Sequence, residues 1–151
     1  MRFGTLSVVL VPVALTFGVA AATAADKKVQ MKDLPPPVQK AVQQEEAKGA
    51  TIVGLGSEVE GGKTMYEVET KVNGHTRDLL FTAAGVLVEA EEETPIDAVP
   101  APVKAALEAH GNVLKIETLT KGKSVTYEAQ IEKNGRKSEI VVNADGKLLK
   151  K

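Results

Sequence analysis

Tyr66-Glu67-Val68-Glu69-Thr70-Lys71-Val72 alternates with a period of two and runs into Asn73-Gly74; 61 positions later Tyr127-Glu128-Ala129-Gln130-Ile131-Glu132 alternates in the same phase and reaches Asn134-Gly135. A period of two marks a strand with one buried face. Asn-Gly suits the two-residue type I′ loop, whose twist matches that of the strands it joins. Such a loop sets Tyr66 opposite Phe81, Val68 opposite Leu79, Thr70 opposite Arg77 and Val72 opposite His75. In the second stretch Tyr127 faces Val142, Ala129 faces Ile140 and Ile131 faces Ser138. The apolar residues of both hairpins then share a face, which a slip of one residue would destroy.

Upstream, Asp33-Leu34-Pro35-Pro36-Pro37-Val38-Gln39-Lys40-Ala41-Val42 returns 65 positions later as Ala98-Val99-Pro100-Ala101-Pro102-Val103-Lys104-Ala105-Ala106-Leu107. Val38, Ala41, Val42 and Val103, Ala106, Leu107 each form one apolar helical face. Prolines suit the first turn, whose amides have no partner within the helix; Asp33 and Asp97 lie near enough to serve the helix starts, and Gly49 and Gly111 end them. The offset falls by four between the two blocks, about one helical turn, so the first helix is expected to be a turn longer. Ile52 to Val59 and Val113 to Thr120 read as strands, and short strands at Val86-Leu87-Val88 and Lys147-Leu148-Leu149 close each copy. The expected fold class is therefore α+β, built from two tandem helix-plus-antiparallel-sheet units of a helix and about four strands each. The first unit takes residues 26–93 and the second 94–151. A unit of about 60 residues is marginal alone, so the halves are expected to share an interface or a continuous sheet.

Residues 1–25 read as a signal peptide. Arg2 precedes an apolar stretch from Phe3 to Ala22, and Ala22-Thr23-Ala24 is a small-x-small cleavage pattern. Its removal takes away Arg2 and no acid, leaving a net charge of about −2 from the −1 of the full chain. That balance points away from nucleic acid, which calls for a strongly basic face. With no cysteine, disulfides, thiol chemistry and a cysteine-linked lipid anchor are excluded. The mature protein is expected to be periplasmic or secreted, with no membrane attachment after cleavage.

The order Leu-Pro-x-x-Val at a helix start, Tyr-Glu-Val-Glu or Tyr-Glu-Ala-Gln, Asn-Gly, an apolar strand, then Ala84-Gly85-Val86-Leu87 or Asn143-Ala144-Asp145-Gly146-Lys147-Leu148 resembles the PepSY and PepSY-like group. Its tandem form is similar in layout to beta-lactamase-inhibitor proteins, in which two helix-plus-sheet units pack side by side. The resemblance covers about residues 30–151. It implies a small secreted or periplasmic module that binds or inhibits other proteins, peptidases among them. The cysteine pairs and aromatic binding surface of the beta-lactamase inhibitors are absent here.

No catalytic, cofactor or metal residues emerge. Gly56 to Thr64 has the flavour of a phosphate loop, but the glycine spacing is off and a strand follows instead of a helix. His75 follows a hairpin turn and His110 sits at a helix end, neither with a second ligand at suitable spacing. Asn143-Ala144-Asp145-Gly146 lacks the remaining ligands of a calcium loop and reads as a turn. Glu89, Glu91, Glu92 and Glu93 read as a charged linker. The pattern that stands out is the sheet face turned from the helices. The hairpin registers place Glu67, Glu69, Asp78 and Leu80 there from the first copy, and Glu128, Glu132, Glu139 and Val141 from the second. Acids dominate it, and Leu80 and Val141 add an apolar spot. The expected function is a non-enzymatic binding or inhibitory module that contacts another envelope protein, with a basic surface, through this face. The alternative is a divalent-cation or small-ligand binding protein that uses this acidic face and the Glu89 to Glu93 run.

Overall fold

The computed structural model describes residues 24–149. Helix α1 spans Pro36–Ala47 and α2 spans Ala101–His110. Each is entered through a proline at φ −56 or −55, which pre-sets the first turn. Asp33 and Asp97 do not cap these helices: Asp33 accepts from the Gln30 amide, and Asp97 pairs with Lys104 at 2.6 Å. The four-residue difference in spacing divides between helix and turn. Helix α1 is two residues longer than α2, and three residues separate it from the next strand where α2 leaves only Gly111. That glycine is required by proximity, because a Cβ there would stand 2.5 Å from Ile131 Cγ2 and 2.7 Å from the Glu132 carbonyl oxygen.

The strands are β1 Ala24–Lys28, β2 Thr51–Glu60, β3 Lys63–Val72, β4 His75–Thr82, β5 Leu87–Glu93, β6 Asn112–Lys121, β7 Ser124–Lys133, β8 Arg136–Asn143 and β9 Leu148–Leu149. They form one antiparallel sheet of nine strands, each bonded to its neighbours in chain order. The Asn-Gly hairpins have the expected register, Tyr66 opposite Phe81 and Tyr127 opposite Val142. Asn73 and Asn134 adopt φ 53 and 54, as a type I′ loop demands.

The expectation of two helix-plus-sheet units is corrected by this sheet. The described residues are mostly β, with two α-helices lying on a single continuous sheet. The element that joins it is β5, the segment read as a charged linker. Its residues Glu89 to Glu93 pair with Lys121 to Glu117 of β6, while Glu89 to Glu92 pair with Leu80 to Arg77 of β4. Glutamate is a poor strand former in isolation, and pairing on both sides overrides that preference. Of the expected leader, residues 1–23 lie outside the described residues, while Ala24 and Ala25 begin β1, with Ala24 opposite Val59.

Directly paired residues share a face, so the ladder Leu79, Ala90, Thr120 and the pair Thr118–Tyr127 carry one face from β4 to β7. Both helices cover this face. Leu34, Val38, Ala41 and Val42 pack on Val68, Leu79 and Phe81, while Val99, Val103 and Leu107 pack on Ile116, Tyr127, Ala129, Ile131 and Val142. Full burial of each large aliphatic side chain among these is worth about 1.5–3 kcal/mol. Tyr127 is buried and Tyr66 only half-buried on the same face. An ion network adds to the α1 side: buried Glu45 bonds Arg77 of β4 and Lys48, each at 2.7 Å. Burial pushes the Glu45 carboxyl up, but hydrogen bonds from Lys48 and Arg77 and their charges outweigh it and hold the group below its usual range.

Candidate binding face

Among the described residues, no helix lies on the opposite face of the sheet. The register places all eight expected contact residues on it: Glu67 opposite Leu80, Glu69 opposite Asp78, Glu128 opposite Val141, Glu139 opposite Gln130 and Glu132 opposite Lys137. The structure then adds acids that the hairpins alone do not reach. Glu58 and Glu60 come from β2, Glu89, Glu91 and Glu93 from β5, and Glu117 from β6. In the sequence Glu89-Ala90-Glu91-Glu92-Glu93 shows no clean period of two, because Glu92, which faces the helix side opposite Arg77, is acidic as well.

The acids are not scattered. Glu69, Asp78 and Glu91 stand directly opposite one another across β3, β4 and β5, and Glu93, Glu117 and Glu128 do so across β5, β6 and β7. These are two rows of three carboxylates, meeting on β5. Directly opposed like charges destabilise a sheet, by roughly 0.2–1 kcal/mol per pair. Several of these groups are also withdrawn from water, with Glu128 6% exposed and Asp78, Glu91 and Glu117 half-buried. Burial, then Glu69 and Glu117, raise the Asp78 carboxyl against the pull of Lys115. Burial, then Glu117, Asp78 and Glu128, and a hydrogen bond with Glu117, push Glu91 up to about 7.

Two lysines offset part of this charge. Lys115 bonds Glu117, and Lys121 bonds Glu89 at 2.9 Å and Glu60 at 3.5 Å. On β2, Gly54 and Gly56 leave room for carboxylates to lie across the backbone, since a Cβ at Gly54 would stand 2.5 Å from Glu69 Oε2 and one at Gly56 3.3 Å from Glu67 Oε2. A depression of about 80 Å³ opens between these strands, lined by Glu58, Glu67, Asp78, Leu79, Leu80, Glu89 and Glu91. Of the expected residues, Glu67, Asp78 and Leu80 meet there, while Glu132 and Glu139 lie toward the far end on β7 and β8. Met65, Leu80, Leu119, Val141 and Leu149 are apolar members of the face, Met65 being buried.

Elsewhere the chemistry is structural. His75 Nδ1 lies 3.8 Å from Glu93, and His110 Nδ1 is 2.7 Å from the Ala106 carbonyl oxygen. The Asn143 side chain accepts from the amides of Asp145 and Lys147, closing the turn before β9. Among the described residues no three His, Asp or Glu are placed to hold one metal ion, and no helix is long and apolar enough to cross a membrane.

No family model matches the chain, and no curated protein matches it. Solved structures do. A protein of Bacteroides eggerthii, provisionally described as periplasmic, superposes with a TM-score of 0.61 at 22% identity, covering 78% of this chain and 86% of that one. A DUF2874 family protein of Bacteroides ovatus gives 0.58 at 19% identity, covering 78% and 85%. A BLIP-like protein of Bacteroides fragilis gives 0.57 at 20%, covering 78% and 84%. Identities this low speak for the fold, and the layout of the chain is BLIP-like.

Proposed function

We propose that this chain is an exported, non-enzymatic protein that binds another protein of the cell envelope through the open sheet face. The observation that carries this reading is the pair of carboxylate rows, Glu69–Asp78–Glu91 and Glu93–Glu117–Glu128. A sheet that keeps like charges opposed across five strands bears a stability cost, and such local violations belong to functional surfaces. A partner with a basic surface would relieve the repulsion and be steered to the face by its charge. Leu80, Leu119, Val141 and Leu149 would supply apolar contact amid the acids. The described periplasmic placement of the B. eggerthii protein supports export, with residues 1–25 as the leader. The recurrence of the two sequence blocks supports descent of 26–93 and 94–151 from one PepSY-like unit, now joined in a common sheet.

The test is capture from the envelope fraction by the full chain and by Leu80→Asp/Val141→Asp. The wild type retains a protein with a basic surface, less of it as salt rises, and the double variant loses it while remaining folded, with a cooperative melt that its three new opposed carboxylate pairs lower. Equal capture by both removes this face from the reading. A rise of melting temperature with millimolar calcium, by mass action, would favour a cation ligand instead.

A further inference from the structure

Carboxylates opposed across a sheet either stay well hydrated or take up protons. Hydration is restricted at the centre of this face, where the two rows meet at Glu91 and Glu93. The groups that face Glu91 are Asp78 from β4, Glu69 and Glu67 from β3, Glu58 from β2, Glu117 and Glu128 from β6 and β7, and Glu89 and Glu93 along β5. On β6, Lys115 is bonded to Glu117 and its charge also reaches Glu93 and Glu91, while Lys121 is held by Glu89 and Glu60. Glu92 and Arg77 lie on the helix side of the sheet, and His75 stands beside Glu93. The centre therefore holds more negative charge than its lysines compensate.

We propose that the crossing of the two carboxylate rows holds a proton while the face is empty and releases it when a cationic partner docks, so that partner binding strengthens as the pH rises. This rests on the open face being the binding surface and adds its regulation. The proton leaves the Glu91 carboxyl O–H for solvent, the hydrogen bond that it makes with Glu117 is lost with it, and the carboxylate left behind pairs with a lysine or arginine of the partner.

Glu91 is the group that carries most of this uptake, being pushed up to about 7 by its burial and by Glu117, Asp78 and Glu128. The folded protein thus keeps a proton that the unfolded chain loses near 4.5. Its contribution to stability is complete below about 4.5 and is lost as the pH rises through about 7. Affinity for a cation follows the opposite course, falling up to about tenfold per pH unit below 7.

Two measurements on the full chain and on Glu91→Gln test this. The first is the melting temperature between about pH 8 and about pH 5.5 at constant ionic strength. It rises on acidification in the wild type, and the rise is largely absent in Glu91→Gln, which also melts higher than the wild type at the alkaline end. The second is calorimetric titration with an oligolysine peptide near pH 6.5, in two buffers of different ionisation enthalpy. The wild type releases a substantial fraction of a proton on binding and weakens several-fold per pH unit of acidification, whereas Glu91→Gln releases almost none. A wild-type melting temperature that is flat or falls on acidification overturns the stored proton. Binding without proton release overturns its coupling to the partner. A peptide that binds at no pH, with the melting behaviour as expected, overturns the binding surface and leaves the stored proton standing.

Discussion

Asp78→Asn is expected to make the protein more stable, an unusual outcome for a half-buried position. Asp78 stands between Glu69 and Glu91, directly opposite both. At about pH 8 the substitution removes two opposed like-charge pairs, each worth roughly 0.2–1 kcal/mol. It also removes the burial of a charge, the first cause of the raised Asp78 pKa. Asparagine keeps the size of the side chain, so no cavity opens. The net gain is about 0.5–2 kcal/mol, since the solvent that reaches a half-buried site screens part of the repulsion. Urea unfolding at about pH 8 reads this as a higher midpoint with an unchanged slope, and the gain shrinks on acidification as the raised carboxyls of Glu91 and Asp78 take up protons. A loss of stability of similar size at about pH 8 would show that Asp78 is held by favourable contacts, and the claim that this face bears a stability cost would fail.

Other perturbations separate the two faces. Arg77→Ala leaves buried Glu45 with Lys48 as its remaining ion-pair partner and should cost about 1–3 kcal/mol in chemical unfolding, less than a fully buried pair because Arg77 is partly exposed. The lowered Glu45 pKa means that its contribution is present above about 4.5 and is lost as the pH falls through the folded value, so the wild-type advantage over Arg77→Ala should fade in acid melts. Leu107→Ala, at a site 0% exposed, should cost about 2–5 kcal/mol by the same unfolding assay. Gly111→Ala should cost about 1–3 kcal/mol by crowding Ile131 and the Glu132 carbonyl, in a thermal or urea melt.

The hairpins were legible because Asn73-Gly74 and Asn134-Gly135 fix register by local geometry, and the alternation of Tyr66 to Val72 then fixes the faces. That was enough to put Glu67, Glu69, Asp78, Leu80, Glu128, Glu132, Glu139 and Val141 on one surface. The join between the halves was not legible, because Glu89 to Glu93 has the composition of a solvated linker and becomes a strand through β4 and β6, pairings that are distant in sequence. With β5 misplaced, Glu91 and Glu117 could not be aligned with Asp78 and Glu128, and the rows stayed hidden. The division of the four extra residues between α1 and its exit turn was hidden for a similar reason, as where a helix stops depends on what it packs against.

The most direct measurement of the central claim is a comparison of envelope-protein capture by three forms of the full chain: wild type, Asp78→Asn/Glu91→Gln on the open face, and Arg77→Ala on the helix face. Binding through the carboxylate rows predicts that wild type and Arg77→Ala retain the same basic-surfaced protein, and that the open-face variant loses most of it although it is the more stable molecule. Retention by the open-face variant at wild-type level, or loss confined to Arg77→Ala, would contradict it.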